Sequence, residues 1–266
     1  MTVDAEKVSA LIQEVAKAEI LPRFDRLAAG EIVEKGPGDL VTVADKAAEQ
    51  WLAPALARLL PGSVVVGEEE AAGDVSVLKR LHEDAPVWVI DPVDGTINFA
   101  SGIPLFGVMF GLIRKGEVIG AWVADPIRGR MAVAEAGAGA TLDGKRLQAA
   151  KPAEPQRMSG VLTFRTGERQ KAETVARNAP RVASHISLRC VAQEYLLLAE
   201  GRIHFATYNR TFPWDHAPGF LLHKEAGGYG RRLDGRPYHP ADIQAPVLYA
   251  PDVASWEALR ETLFRD

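Results

Sequence analysis

Residues 88 to 99 read Trp-Val-Ile-Asp-Pro-Val-Asp-Gly-Thr-Ile-Asn-Phe, and no other stretch restricts the fold as much. An apolar, β-branched run predicts a buried strand. Yet it ends in Asp91 and Asp94, with Pro92 between them and Gly95-Thr96 immediately after. Two carboxylates this close repel each other unless a cation lies between them. Pro92 fixes the backbone, and the turn brings both carboxylates and the Val93 carbonyl around one small volume. Such a cluster of oxygens suits a hard divalent cation such as Mg²⁺. Gly95-Thr96 then opens a short helix through Phe99, whose free amides and hydroxyl would face the same volume. Metal-assisted phosphoryl transfer requires that juxtaposition of cation and anion sites. A plainer reading of the run by itself stays open, in which Asp91 closes a strand and Asp94 caps a helix.

Further acid lies on both sides of the run. Val64-Val65-Val66-Gly67-Glu68-Glu69-Glu70 is a second apolar strand ending in carboxylates. If the two strands share a sheet, Glu68 reaches the Asp91 cluster, while Glu70 reads as a solvated loop residue. Pro213-Trp214-Asp215-His216 places Asp215 at a helix start, where capping is again the alternative.

The rest of the chain alternates in period. Spacings of three and four predict an amphipathic helix from Ala5 to about Leu27 and another from Ala44 to Leu60, closed by Pro61-Gly62. Short β-rich runs follow at 64–66, 87–90, 106–113, 118–124 and 131–134, with hairpin turns at 114–116, 126–129 and 143–144. Gly137-Ala138-Gly139-Ala140 reads as a hairpin connection, because it lacks the third glycine and following helix of a dinucleotide loop. The Ala/Pro-rich segment 149–155 divides the chain into residues 1–148 and 149–266. Beyond it come a strand at Ser159–Phe164, a helix from Val191 to Glu200, a strand from His204 to Tyr208, a helix near Asp215, a strand from Pro246 to Tyr249 and a last helix from Ala254 to Leu263. This order of helices and sheets predicts an α+β sandwich with one sheet in each half.

Bulk properties exclude several classes of function. Net charge is −4 over 266 residues, with basic residues scattered except for Arg231-Arg232 near a loop, so nucleic acid is not an expected partner. The apolar stretch from Pro104 to Ile113 is about half of what spans a bilayer, so no membrane association is expected. One cysteine, Cys190, forms no internal disulfide and is read as a core residue; a cytoplasmic location is the expectation. His204, His216 and His223 lack metal-ligand spacing and are read as structural.

Taken in order, Asp39-Leu40-Val41-Thr42-Val43-Ala44-Asp45, Gly67-Glu68-Glu69, Asp91-Pro92-Val93-Asp94-Gly95-Thr96, Trp214-Asp215 and Glu225-Ala226-Gly227-Gly228 resemble the inositol monophosphatase family of Mg²⁺-dependent, lithium-sensitive phosphatases. The resemblance spans nearly the whole chain. It implies the layered αβαβα sandwich of the inositol monophosphatase and fructose-1,6-bisphosphatase type, a homodimer, and two or three Mg²⁺ per site, with Mn²⁺ as a substitute. It implies that Glu68, Asp91 and the Val93 carbonyl bind a first metal, and Asp91, Asp94 and Asp215 a second, with most ligands in residues 1–148 and Asp215 in the second half. Glu68 and Thr96, with Asp45 behind Thr96, would orient and deprotonate the attacking water, and Gly95 and Thr96 would seat the phosphate. Lys35, beside Gly36-Pro37-Gly38, would belong to a mobile loop that closes over the metals.

Two departures from the family pattern concern the substrate. Where the family has a Gly-Thr-Ala-like stretch and a polyol-binding acidic residue, this chain has Ala192-Gln193-Glu194 and Tyr208. Glu194 is read as a relocated carboxylate, and Arg189 or Arg210 as reading a second anion. The expected reaction is hydrolysis of a small soluble phosphate ester; histidinol phosphate, a 3′-phosphonucleotide and a sugar bisphosphate are alternative substrates, and a non-catalytic regulatory role is the alternative function.

Overall fold

The computed structural model describes residues 3–36, 38–163 and 169–265. Helix α1 (Ala5–Val15) is capped by Asp4, whose carboxylate accepts from the Glu6 and Lys7 amides. The regular helix is shorter than its periodicity predicts. It loosens into a π turn at Ala16–Ile20 and a 3-10 turn at Leu21–Arg23, where Pro22 supplies no amide proton. Next comes an antiparallel hairpin, β1 (Ile32–Gly36) and β2 (Asp39–Thr42), then helix α2 (Val43–Leu59). Lys35 thus sits on a strand; Pro37 lies outside the described residues.

A seven-stranded sheet follows, in spatial order β3 (Val64–Gly67), β4 (Val87–Asp94), β5 (Gly107–Arg114), β6 (Glu117–Asp125), β7 (Arg130–Glu135), β8 (Gly139–Leu142) and β9 (Lys145–Arg146). Only the β3–β4 pairing is parallel. Strand β4 does not stop at Ile90. It runs through a bulge to Asp94, pairing Asp91 with Met109 and Asp94 with Gly107. Helices α3 (Glu68–Gly73) and α4 (Thr96–Ala100) lie at the ends of β3 and β4.

The second sheet has five strands in the order β11 (Ser184–Ile186), β10 (Ser159–Val161), β12 (Phe205–Tyr208), β14 (Val247–Ala250) and β13 (Tyr229–Arg232). Strand β10 ends before the predicted limit; Phe164 lies outside the described residues. Arg231 and Arg232 belong to β13 rather than to a loop, and Arg232 pairs with Asp234 and Asp242. Among the described residues, the helices that accompany this sheet are α5 (Arg169–Asn178), α6 (Val191–Ala199), α7 (Pro213–Glu225) and α8 (Val253–Phe264).

Alternation along the strands assigns the layers. Trp88 and Ile90 of β4, Phe110 and Leu112 of β5 and Trp122 of β6 pack with Val8, Ile12, Leu52 and Leu56 of α1 and α2. Their neighbours Val89, Met109 and Val123 face the other way, toward Tyr195 and Leu198 of α6, Ala217 and Leu221 of α7, and Ala206 and Tyr249 of the second sheet. Beyond that sheet, Phe205, Leu248 and Ala250 pack on Val175 of α5 and Trp256, Leu259 and Leu263 of α8. The layers are therefore α1/α2, seven-stranded sheet, α6/α7, five-stranded sheet, α5/α8, in an α+β fold. Close approach in the central layer requires Gly219, where a Cβ would lie 2.1 Å from the Tyr195 ring. Among the described residues, no helix is long and apolar enough to cross a membrane.

Candidate active site

Parallel pairing of β3 and β4 builds the site. Gly67 is the partner of Ile90, so the residues that follow, Glu68 at the start of α3 and Asp91 on the continuing β4, stand side by side. Asp215 reaches the same point from the first turn of α7. Glu68, Asp91 and Asp215 each offer a carboxylate oxygen within 4.8 Å of the others. The Asp91 carboxylate also accepts from the Val93 amide at 2.9 Å, which shapes the bulge. Burial, then the neighbouring carboxylates Glu68, Asp94 and Asp215, pushes the Asp91 carboxyl well above its usual range. Burial likewise raises Asp215, and raises Glu68 to about 7.

Oxygen-only donors and mutual repulsion fit a hard divalent cation. The only cation bonded into the group among the described residues is Lys35, whose Nζ lies 2.8 Å from Glu68 and 2.9 Å from Glu69. Those two carboxylates hold the Lys35 ammonium above its ordinary pKa, although burial alone would lower it.

Asp94 faces elsewhere. Its Oδ2 accepts from the Ala192 amide at 2.7 Å and the Cys190 thiol at 2.9 Å, at the start of α6, and the Gly95 amide also turns toward it. It does not cap α4, whose N-cap is Gly95 in the left-handed region at φ 86°. A Cβ at Gly95 would also press on Cys190 at 3.0 Å. Cys190 is thus buried, as its residue type predicts, but it is a partner of the site rather than simple core packing. Burial and the nearby Asp94 keep its thiol protonated.

Thr96 Oγ1 lies 3.2 Å from Asp45 Oδ1 and 3.0 Å from the Val93 carbonyl. Asp45 Oδ2 meanwhile accepts from the Thr42 amide and hydroxyl, closing the capping box that starts α2. One carboxylate therefore both caps a helix and holds the Thr96 hydroxyl. Burial raises Asp45 to about 6, against the hydrogen bonds from Thr42.

Glu194 and Tyr208 come together, but inward. Tyr208 Oη donates to Glu194 Oε2 at 3.0 Å, and the Leu188 amide donates to Oε1 at 2.8 Å. Both side chains are buried, and burial raises Glu194 to about 7. His216 shares a hydrogen bond with Tyr195, His223 Nε2 bonds the Ala250 carbonyl, and His204 accepts from the Ser159 amide. Glu225 is structural too, accepting from the Gly137 and Gly139 amides in the β7–β8 turn. Glu70 is not simply solvated, since Arg80 holds both its oxygens at 2.8 Å.

One contributor was missed by sequence reasoning. Glu49 accepts from the Glu69 and Glu70 amides at 2.9 and 2.7 Å and so caps α3 from a different helix. A Cβ at Gly67 would lie 2.3 Å from that carboxylate, which is why a glycine precedes Glu68. The signal was present: Glu49 stands four residues after Asp45, on the same face of α2.

A family model described as the inositol monophosphatase family matches residues 3–265. The inositol-1-monophosphatase of Rhizobium meliloti is 30% identical over 264 residues, covering 97% of this chain and 96% of that protein. The Nus factor SuhB of Escherichia coli is 31% identical, over 79% of this chain and 78% of its own. Among solved structures, the IMPase of Thermotoga maritima superposes with a TM-score of 0.78 at 24% identity, covering 97% of this chain and 96% of that one, which supports the fold alone.

Proposed function

The chain belongs to the inositol monophosphatase family, and from that premise we propose that it is a Mg²⁺-dependent phosphatase hydrolysing a small phosphate monoester. The observation that carries the proposal is the convergence of Glu68, Asp91 and Asp215 within 4.8 Å, beside the Thr96–Asp45 pair. Glu68, Asp91, Asp215 and the Val93 carbonyl would hold the metal, with Asp94 turning from the α6 amides to join them. Bound there, Mg²⁺ supplies charge neutralisation for the phosphoryl group and a lowered pKa for the attacking water.

The protein's own groups do the rest. When the Thr96 hydroxyl donates to Asp45, its lone pair is left to accept from water and orient it. Asp45, raised to about 6, is poised as the terminal base near neutral pH. Gly95 and Thr96 form the phosphate side of the pocket. Glu194 and Tyr208 support it from behind, fixing the 188–190 turn that presents the start of α6 to Asp94. Lys35 is proposed to move as the site fills, and a homodimer is the proposed assembly.

Likeness to a Nus factor keeps a regulatory reading in view. The complete carboxylate set argues for chemistry, because a regulator has no need to retain every ligand. Phosphate release from a panel of small esters, with and without Mg²⁺, tests the proposal. Mg²⁺-dependent turnover is expected, and its absence across the panel refutes it.

A further inference from the structure

Beyond the carboxylate cluster, the C-terminal half presents acceptors that are already satisfied and cations that are free. Both oxygens of Glu194 are engaged, by the Leu188 amide and the Tyr208 hydroxyl. Tyr208 is enclosed by the rings of Tyr195, His216 and Tyr249, with centroids at 5.5, 4.7 and 6.2 Å. Neither side chain can turn outward to bind substrate hydroxyls without leaving a buried partner unpaired.

Two arginines stand in the segments that carry this region, Arg189 before α6 and Arg210 between β12 and α7. Arg189 immediately precedes Cys190, whose Sγ lies 2.9 Å from Asp94 Oδ2. Its turn is fixed on one side by Glu194 and on the other by Asn98, whose Nδ2 donates to the Leu188 carbonyl at 2.8 Å. Arg189 is exposed and adopts φ 54°, a left-handed conformation that costs an L-residue with a Cβ energy and glycine almost none. A long cation kept in a strained position beside a site is a functional signal. Arg210 is also exposed. Its guanidinium lies 4.6 Å over the Phe212 ring, which stacks at 5.0 Å on Trp214, the residue before Asp215. Neither guanidinium has an ion-pair partner among the described residues.

We propose that Arg189 and Arg210 read a second anionic group, so that the preferred ester carries a phosphate or carboxylate besides the phosphoryl group that is hydrolysed. This rests on the phosphatase reading given above. A guanidinium presents a planar fork that matches either anion through paired hydrogen bonds, and stacking on Phe212 pre-orders one of the two.

The test compares paired esters by kcat/KM in saturating Mg²⁺. Adenosine 3′,5′-bisphosphate against adenosine 3′-monophosphate probes a second phosphate; 3-phosphoglycerate against glycerol 3-phosphate probes a carboxylate. The doubly anionic member of at least one pair should be preferred by about tenfold or more, and which pair responds identifies the anion. Arg210→Gln and Arg189→Gly should each pull that ratio toward one. Arg189→Gly should do so with an unchanged or raised melting temperature, because it relieves the strained φ, so loss of selectivity cannot be ascribed to misfolding. Phosphate release that ignores the second anion, or a ratio indifferent to both substitutions, overturns this inference alone. No release from any of the four esters overturns the phosphatase reading and this inference with it.

Discussion

The Lys35 ammonium lies 2.8 Å from Glu68, against one of the three carboxylates that converge at the site. A second contact, 2.9 Å to Glu69, makes the lysine a bridge between two acids at the start of α3. The cluster thus carries a cation supplied by its own β1 strand, which offsets part of the repulsion among buried carboxylates.

Replacing that cation exposes the competition. Lys35→Met should tighten Mg²⁺ binding by about tenfold, the equivalent of about 1.4 kcal/mol, in titration calorimetry on the protein without substrate. Weaker binding would mean that the lysine assists the metal instead of standing in its place.

Asp91→Asn separates chemistry from stability. Phosphatase activity should fall by about 10³-fold or more. The metal-free protein should melt roughly 2–4 °C higher, since a neutral amide replaces an acid whose charged form burial and three neighbouring carboxylates disfavour. Calorimetric scans and phosphate release on the same preparation check both, and an unchanged rate would sink the proposed mechanism.

Stability should depend on pH in a direction set by burial. Asp45 rises to about 6 and Glu49 and Glu68 to about 7, above the value of about 4 expected in the unfolded chain. The folded state then binds more protons than the unfolded state across that window. Its stability is full below about pH 4 as far as these groups are concerned, and declines as pH rises toward about 7. Melting temperatures between pH 5 and 8 should fall with pH in chelator and flatten when Mg²⁺ is added. A rising curve in chelator would contradict the burial of these acids.

Tyr208→Phe removes the only side-chain donor to the buried Glu194 carboxylate among the described residues. The cost should be about 1–2 kcal/mol in urea unfolding at pH 8, where Glu194 is charged, and smaller at pH 5, where its raised pKa leaves it protonated. An equal loss at both values would point to packing rather than to the hydrogen bond.

Much of this is legible in the sequence itself. Strands β3 to β7 announce themselves as apolar runs cut by Gly, Pro and Asp, and the Asp91-Pro92-Val93-Asp94 run locates the carboxylates. What escaped depends on partners distant in sequence. Strands β1, β2, β11 and β13 are short and largely polar, so period alone does not reveal them. The Asp94 side chain is claimed by α6, about a hundred residues later, and Glu49 caps a helix it does not belong to. A sequence window sees the carboxylate but not the amide that answers it.

Helix α7 begins at the carboxylate cluster with Asp215 and ends at Glu225, which grips the turn between β7 and β8. Its thirteen residues form a rod about 20 Å long, sandwiched between the two sheets. One helix therefore joins the carboxylate cluster at its first turn to an outlying hairpin at its last. Losing the Glu225 contacts to the Gly137 and Gly139 amides would release the far end of the same helix that delivers Asp215.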